Sequence, residues 1–147
     1  MSPEMMEKAL QIMVQAHAGQ RDLDGRAAVL HPLAVGMAGT TDEAKVAGWL
    51  HDVVEDCPEW SAQRLADEGF GTLVVEAMQL LSHNKREPYM DYVHRIIDSG
   101  NVVAQEVKMN DLRHNLQRGR AGGHEAQVRK HTEAMMAFAE AGLWKNF

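Results

Sequence analysis

Apolar residues recur along this chain mostly at intervals of three and four, the spacing that places them on one face of a helix. Met6, Leu10, Met13, Val14 and His17 make the first such stripe, with Pro3 at a favoured first position and Gly19 ending the run. His31-Pro32 opens a short helix carrying Leu33, Val35 and Met37. Thr40, with Glu43 three residues on, reads as a capping box for a helix through Val46, Trp49, Leu50 and Val53. Ser61 starts another, stopped near Gly69. From Thr72 to Leu81, apolar residues (Leu73, Val74, Ala77, Met78, Leu80, Leu81) cover most sides, which predicts a buried central helix. Pro88 begins a helix with Tyr89, Tyr92, Val93, Ile96 and Ile97. Asn101 caps a long one to Gln117, closed by Gly119 and Gly122-Gly123, and Glu125 to Ala141 forms the last. Val29-Leu30 and Val102-Val103 are too short to build a sheet on, and no segment alternates with hairpin chemistry. The expected fold is all-α: one compact helical bundle of about seven or eight helices, a single domain over residues 1–147.

Composition narrows the function classes. The chain of 147 residues can bury a core without staples. It lacks the run of about 18 apolar residues that a membrane span needs, so no membrane partner is expected. Met1-Ser2-Pro3-Glu4-Met5-Met6-Glu7 has neither the basic nor the apolar part of a signal peptide. Cys57 is the only cysteine, which precludes an internal disulfide and fits a cytoplasmic protein. A net charge of -6 argues against a nucleic-acid partner, whose affinity comes from neutralising phosphates. The charge is uneven, however. Residues 108 to 130 carry six cations (Lys108, Arg113, Arg118, Arg120, Arg129, Lys130) against Asp111 and Glu125, a local +4 that leaves -10 for the remainder. A basic stretch in an acidic chain suits a small anionic ligand, or a solvated helix face.

The candidate chemistry centres on His51-Asp52-Val53-Val54-Glu55-Asp56. Read as continuous helix, it places Glu55 one turn beyond His51 and Asp56 one turn beyond Asp52. His31, at the start of one helix, and Asp111, inside another, complete a set of two imidazoles and two carboxylates. Such a mixed N/O set suits Mn²⁺, Fe²⁺ or Zn²⁺ with positions left for water. Lys108, Asp111 and Asn115 follow the i, i+3, i+7 pattern, so a cation, a carboxylate and an amide interrupt what should be core. A metal-binding Asp flanked by phosphate-reaching donors explains that stripe, and so does a surface face. His17 reads as support for the fold or for a ligand. His83, His94, His124 and His131 read as surface, Cys57 as packing, and Trp49 as turned inward.

These segments resemble the HD superfamily of metal-dependent phosphohydrolases, and within it the hydrolase domain of the RelA/SpoT enzymes and the small stand-alone alarmone hydrolases. The matching stretches are His17-Ala18-Gly19-Gln20, His31-Pro32-Leu33-Ala34-Val35, Ala47-Gly48-Trp49-Leu50-His51-Asp52-Val53-Val54-Glu55-Asp56, and Val107-Lys108-Met109-Asn110-Asp111-Leu112 with Asn115. The resemblance implies a metal site of His31, His51, Asp52 and Asp111, usually around Mn²⁺, and a catalytic pair, Glu55 and Asp56. It implies substrate contacts from Lys108 and Asn115, from Arg21 ahead of the His-Pro and, in a loop like one of the small members, from Lys85 and Arg86. The activity implied is hydrolysis of the 3′-pyrophosphate of guanosine tetra- or pentaphosphate (ppGpp), so the partner is a small phosphorylated nucleotide. Relatives carry a basic residue or an Arg-Lys pair before the His-Pro, where this chain has Asp22 and Leu23 with Arg21 adjacent. They carry Pro-Tyr where it has Ala27-Ala28. That departure touches base recognition and leaves two other readings open: a phosphatase for nucleoside monophosphates or another small phosphate ester, and a nucleotide-sensing HD domain without turnover. The pattern assigns no oligomeric state.

Overall fold

A computed structural model describes residues 1–144, and among them the only β pairing is a lone bridge between Arg21 and Ala27. The helices run α1 (Pro3–Ala16), α2 (Leu30–Met37), α3 (Asp42–Leu50), α4 (Val53–Asp56), α5 (Ala62–Asp67), α6 (Thr72–Leu81), α7 (Tyr89–Asp98), α8 (Val102–Gly122) and α9 (Glu125–Glu140). The all-α expectation is met. The count exceeds eight because one expected helix is interrupted at His51-Asp52, leaving α3 and α4. None of these helices is long and apolar enough to cross a membrane.

Most ends obey local chemistry. The side chains of Ser2, Ser61 and Asn101 accept the amides of Met5, Arg64 and Ala104, and Pro3 occupies the first turn of α1. Gly123 closes α8 at φ +71°, a conformation that favours glycine. The cap of α3 is Thr41, not Thr40: Thr41 Oγ1 accepts the Ala44 amide, while Thr40 turns away to bond Glu106 on α8. Two threonines in succession offer the same hydroxyl, and the tertiary carboxylate claims the first.

α8 is the axis of the bundle, packing against α9, α3, α2 and α6. The core joins Met13, Val46, Leu50, Val53, Val74, Met78, Val93, Val107, Leu112 and Phe138. α6 is amphipathic, not buried all round. Val74, Ala77, Met78 and Leu81 face the core and Leu73 is exposed, because only one side of the helix meets neighbours. Likewise α2 buries Val35 but leaves Leu33 and Met37 at the surface.

α2 and α3 approach each other closely. A Cβ built on Gly48 would stand 2.7 Å from the Gly36 Cα, and one on Gly36 would stand 2.1 Å from the Trp49 ring. Backbone therefore meets backbone, with Trp49 filling the space beside it. This crossing carries His31 at the start of α2 towards His51 at the end of α3.

Gly48→Ala must push α2 off α3 and should lower stability by about 1–3 kcal/mol. Gly71→Ala, where an added Cβ meets nothing within 4 Å, should change the denaturation midpoint far less. Equal midpoints for the two variants would show that the crossing has slack.

Candidate active site

His51 and Asp52 sit where α3 ends and α4 has not begun. The His51 Nδ1 donates to the Gly48 carbonyl at 2.6 Å, so an imidazole takes the acceptor at the point where the helix stops. The backbone stays right-handed through both residues, and the Asp56 amide bonds the Asp52 carbonyl. Glu55 and Asp56 thus follow as expected, but on a separate turn.

With Nδ1 committed to a carbonyl, the Nε2 of His51 faces two carboxylate oxygens, Asp52 Oδ2 and Asp111 Oδ1, each at 3.3 Å. His31 Nε2 lies 2.7 Å from the same Asp111 Oδ1 and 3.9 Å from Asp52 Oδ2. His31, His51 and Asp52 each offer a ligand atom within 4.8 Å of one another. Donors that bind one ion at about 2.0–2.2 Å necessarily lie about 3 Å apart. Four side chains from α2, the α3–α4 junction and α8 thus meet in a set that could hold a divalent cation, and the N/O chemistry fits one.

The charges show why a cation suits the place. Burial works against a charged His51, yet Asp52 and Asp111 raise its pKa to about 9. Burial also works against Asp111, but Lys108 and the two imidazoles hold its carboxyl well below the usual range. Lys108 is itself buried, with Nζ 2.8 Å from Asp111 Oδ2 and close to the Tyr89 and Tyr92 rings. Its ammonium compensates the carboxylate and lies outside the lining of the cavity described below.

Two further residues brace this centre. His114 Nδ1 is 2.7 Å from His31 Nδ1, and its pKa falls to about 4, through burial first and then the positive field of His31 and Arg118. Asn115 donates from Nδ2 to Asp111 Oδ1 at 3.1 Å. His114 was detectable in principle, since it lies three residues beyond Asp111 on one helix face.

A cavity of about 550 Å³ opens over the centre, lined by His17, Arg21, His31, Asp52, Asp56 and Asn115 among others. That volume falls in the range of small-molecule sites. Its lip is the Arg21–Ala27 loop, where Asp22 Oδ1 accepts the amides of Asp24 and Arg26, both at 2.9 Å. Leu23 stands 72% exposed on that lip, and Asp24 reaches His124 Nε2 at 2.8 Å. The far wall holds Arg118, Gln127 and His131. His131 is buried, contrary to the surface reading, because α9 packs against α7 and α8. The Nδ1 of His131 and the Nε2 of His17 are both buried without a protein hydrogen-bond partner.

Asp56 lines the cavity, and burial, then the Asp52 charge, raises its pKa. Glu55 accepts the His83 amide at 2.5 Å. Its carboxyl pKa is raised by desolvation first, with Asp52 adding to the shift and the His83 amide opposing it. Lys85 and Arg86 lie exposed in the loop before α7 and outside the cavity lining. Cys57 is buried and donates to the Ala16 carbonyl at 3.2 Å, a packing role.

A solved structure of a metazoan ortholog of SpoT, a protein that hydrolyses ppGpp, superposes with a TM-score of 0.72 at 18% identity, covering 98% of this chain and 99% of its own. The fold is that of the SpoT ortholog. In sequence, 75 residues are 36% identical to RSH1, a chloroplastic protein of Arabidopsis thaliana named as a GTP diphosphokinase. The match takes in 48% of this chain and 8% of that relative. No protein-family model matches the chain.

Mn²⁺ added to metal-free protein at a hundred times its dissociation constant should stabilise it by about 2.7 kcal/mol, read as a higher Tm. His51→Ala should abolish that rise. His114→Ala should retain it with an Mn²⁺ affinity weakened about 10- to 100-fold, because His31 loses the partner that orients it. Unchanged affinity would make His114 a bystander.

Proposed function

We propose that this chain is a single-domain, HD-type, metal-dependent phosphohydrolase that removes the 3′-pyrophosphate of guanosine tetra- or pentaphosphate. The observation that carries the reading is the convergence of His31, His51, Asp52 and Asp111 beneath a cavity that Asp56 also lines, in the fold of a protein that hydrolyses ppGpp.

In this reading His31, His51, Asp52 and Asp111 hold a divalent ion, with Mn²⁺ as the ion proposed, and the substrate is a small phosphorylated nucleotide met in the cytoplasm. When bound, the ion supplies Lewis acidity that activates water and polarises a phosphoryl oxygen. Lys108 keeps Asp111 ionised and holds Oδ2, so that Oδ1 faces the imidazoles. His114 fixes the plane of His31, and the Gly48 carbonyl that of His51.

The acids supply proton traffic. One of Glu55 and Asp56 accepts the proton of the attacking water as its oxygen bonds to phosphorus. The other returns a proton to the departing 3′ oxygen as the P–O bond breaks. Both carboxyls have raised pKa values, a condition that favours exchange nearer neutrality than an ordinary carboxylate allows. Burial of Asp111 strengthens its own contacts with Lys108, His31 and His51.

With Mn²⁺ the protein should release pyrophosphate from guanosine tetraphosphate, and Asp52→Ala should abolish release. Glu55→Gln and Asp56→Asn should each lower kcat by about 10²- to 10⁴-fold while Mn²⁺ affinity survives. The carboxylate acting as base is lost as pH falls through its raised pKa. The acidic limb of kcat/KM should therefore lie above the ordinary carboxylate range and disappear with that residue. Turnover of monophosphate esters alone would replace this reading with a phosphatase, and nucleotide binding without turnover under Mn²⁺, Fe²⁺ or Mg²⁺ would replace it with a sensor.

A further inference from the structure

Of the six lysines and arginines between residues 108 and 130, only Arg118 lines the cavity over the histidine–aspartate centre. Its Nε and Nη2 both donate to Asn115 Oδ1, at 2.9 and 2.7 Å. The same amide donates from Nδ2 to Asp111 Oδ1. A neutral side chain thus keys the guanidinium to the central carboxylate and spends none of its charge. Three of its five N–H groups remain uncommitted to described residues.

Lys108 is paired with Asp111, Arg95 with Glu87, and Lys8 with Glu68. Arg118, half-buried on a concave wall, forms no ion pair with any described residue. A held guanidinium with three uncommitted N–H groups, in the field of the lip carboxylate Asp22 but in no ion pair with it, matches the geometry of a phosphate better than that of any neutral ligand.

We propose that Arg118 binds a phosphate group of the substrate other than the one being cleaved. The cavity is thereby selective for a nucleotide with two separated phosphate groups over a nucleoside monophosphate. Lys108 does not serve this purpose, since its ammonium is buried against Asp111. Arg21, on the same cavity but at the exposed lip and bonded through Nη1 to the Gln20 carbonyl, is less firmly placed. The identity of the anion rests on the hydrolase reading above. The anion site itself does not.

The test separates the two. Guanosine 5′-diphosphate, titrated calorimetrically in chelator so that neither metal nor turnover enters, should bind Arg118→Gln about 10- to 100-fold more weakly than the unmodified protein. Arg118→Lys, which keeps charge but loses the fork on Asn115, should fall between them. Guanosine should bind all three alike. In turnover with Mn²⁺, Arg118→Gln should raise KM for guanosine tetraphosphate with little change in kcat. It should leave kcat/KM unchanged for guanosine 3′-diphosphate, which lacks the second phosphate group. Equal losses on both substrates, or unaltered diphosphate binding, would overturn the assignment. A phosphate-dependent loss of binding in a protein that cleaves nothing would retain the anion site and discard the hydrolase.

Discussion

A buried carboxylate remains ionised only where the surrounding protein replaces the water it has lost, and Asp111 is the site on which this fold concentrates that replacement. One oxygen is held by Lys108; the other meets His31, His51 and Asn115. The partners come from three places: α2, the end of α3, and the turns of α8 on either side of Asp111. The electrostatic demand of one side chain therefore ties three helices together at the floor of the cavity. Removing a single partner leaves charge uncompensated in a low-dielectric place, which costs far more than one surface ion pair.

Much of this was legible from residues alone, and the reasons differ. Caps at Ser2, Ser61 and Asn101 depend on one side chain and an amide three residues on, so local sequence suffices. The stripe of Lys108, Asp111 and Asn115 follows from helical period. What those residues touch does not, and Lys108 turns out to serve Asp111 from within the core. The single helix expected through the hexapeptide fails because an imidazole competes for a carbonyl, a choice that periodicity does not register. Thr40 and Thr41 were indistinguishable until Glu106 approached from α8. His131 carried no local mark of burial, since α9 packing alone creates it.

The loop from Arg21 to Ala27 holds its own turn. Asp22 bonds two amides of its own turn through one oxygen, and Gly25 adopts φ +75°, so the segment is braced by its own residues. The lip so formed presents Leu23 and the Asp24–His124 pair beside Arg21. A ligand that meets this lip meets an apolar side chain and an acid–imidazole pair beside one cation.

The crossing of α2 and α3 has a consequence for how such a protein can change over time. The distance between the two helices is set by main-chain atoms at Gly36 and Gly48, which have no rotamers to adjust. Side chains elsewhere in the core can exchange volume with their neighbours, and a bundle of this kind can drift far while its helices resettle. At this crossing the Trp49 ring is the side chain that packs beside the two backbones, and the backbones themselves have nothing to trade. A lineage can lose its resemblance almost everywhere else and still hold two imidazoles at one spacing, provided it keeps two residues that contribute no side chain at all.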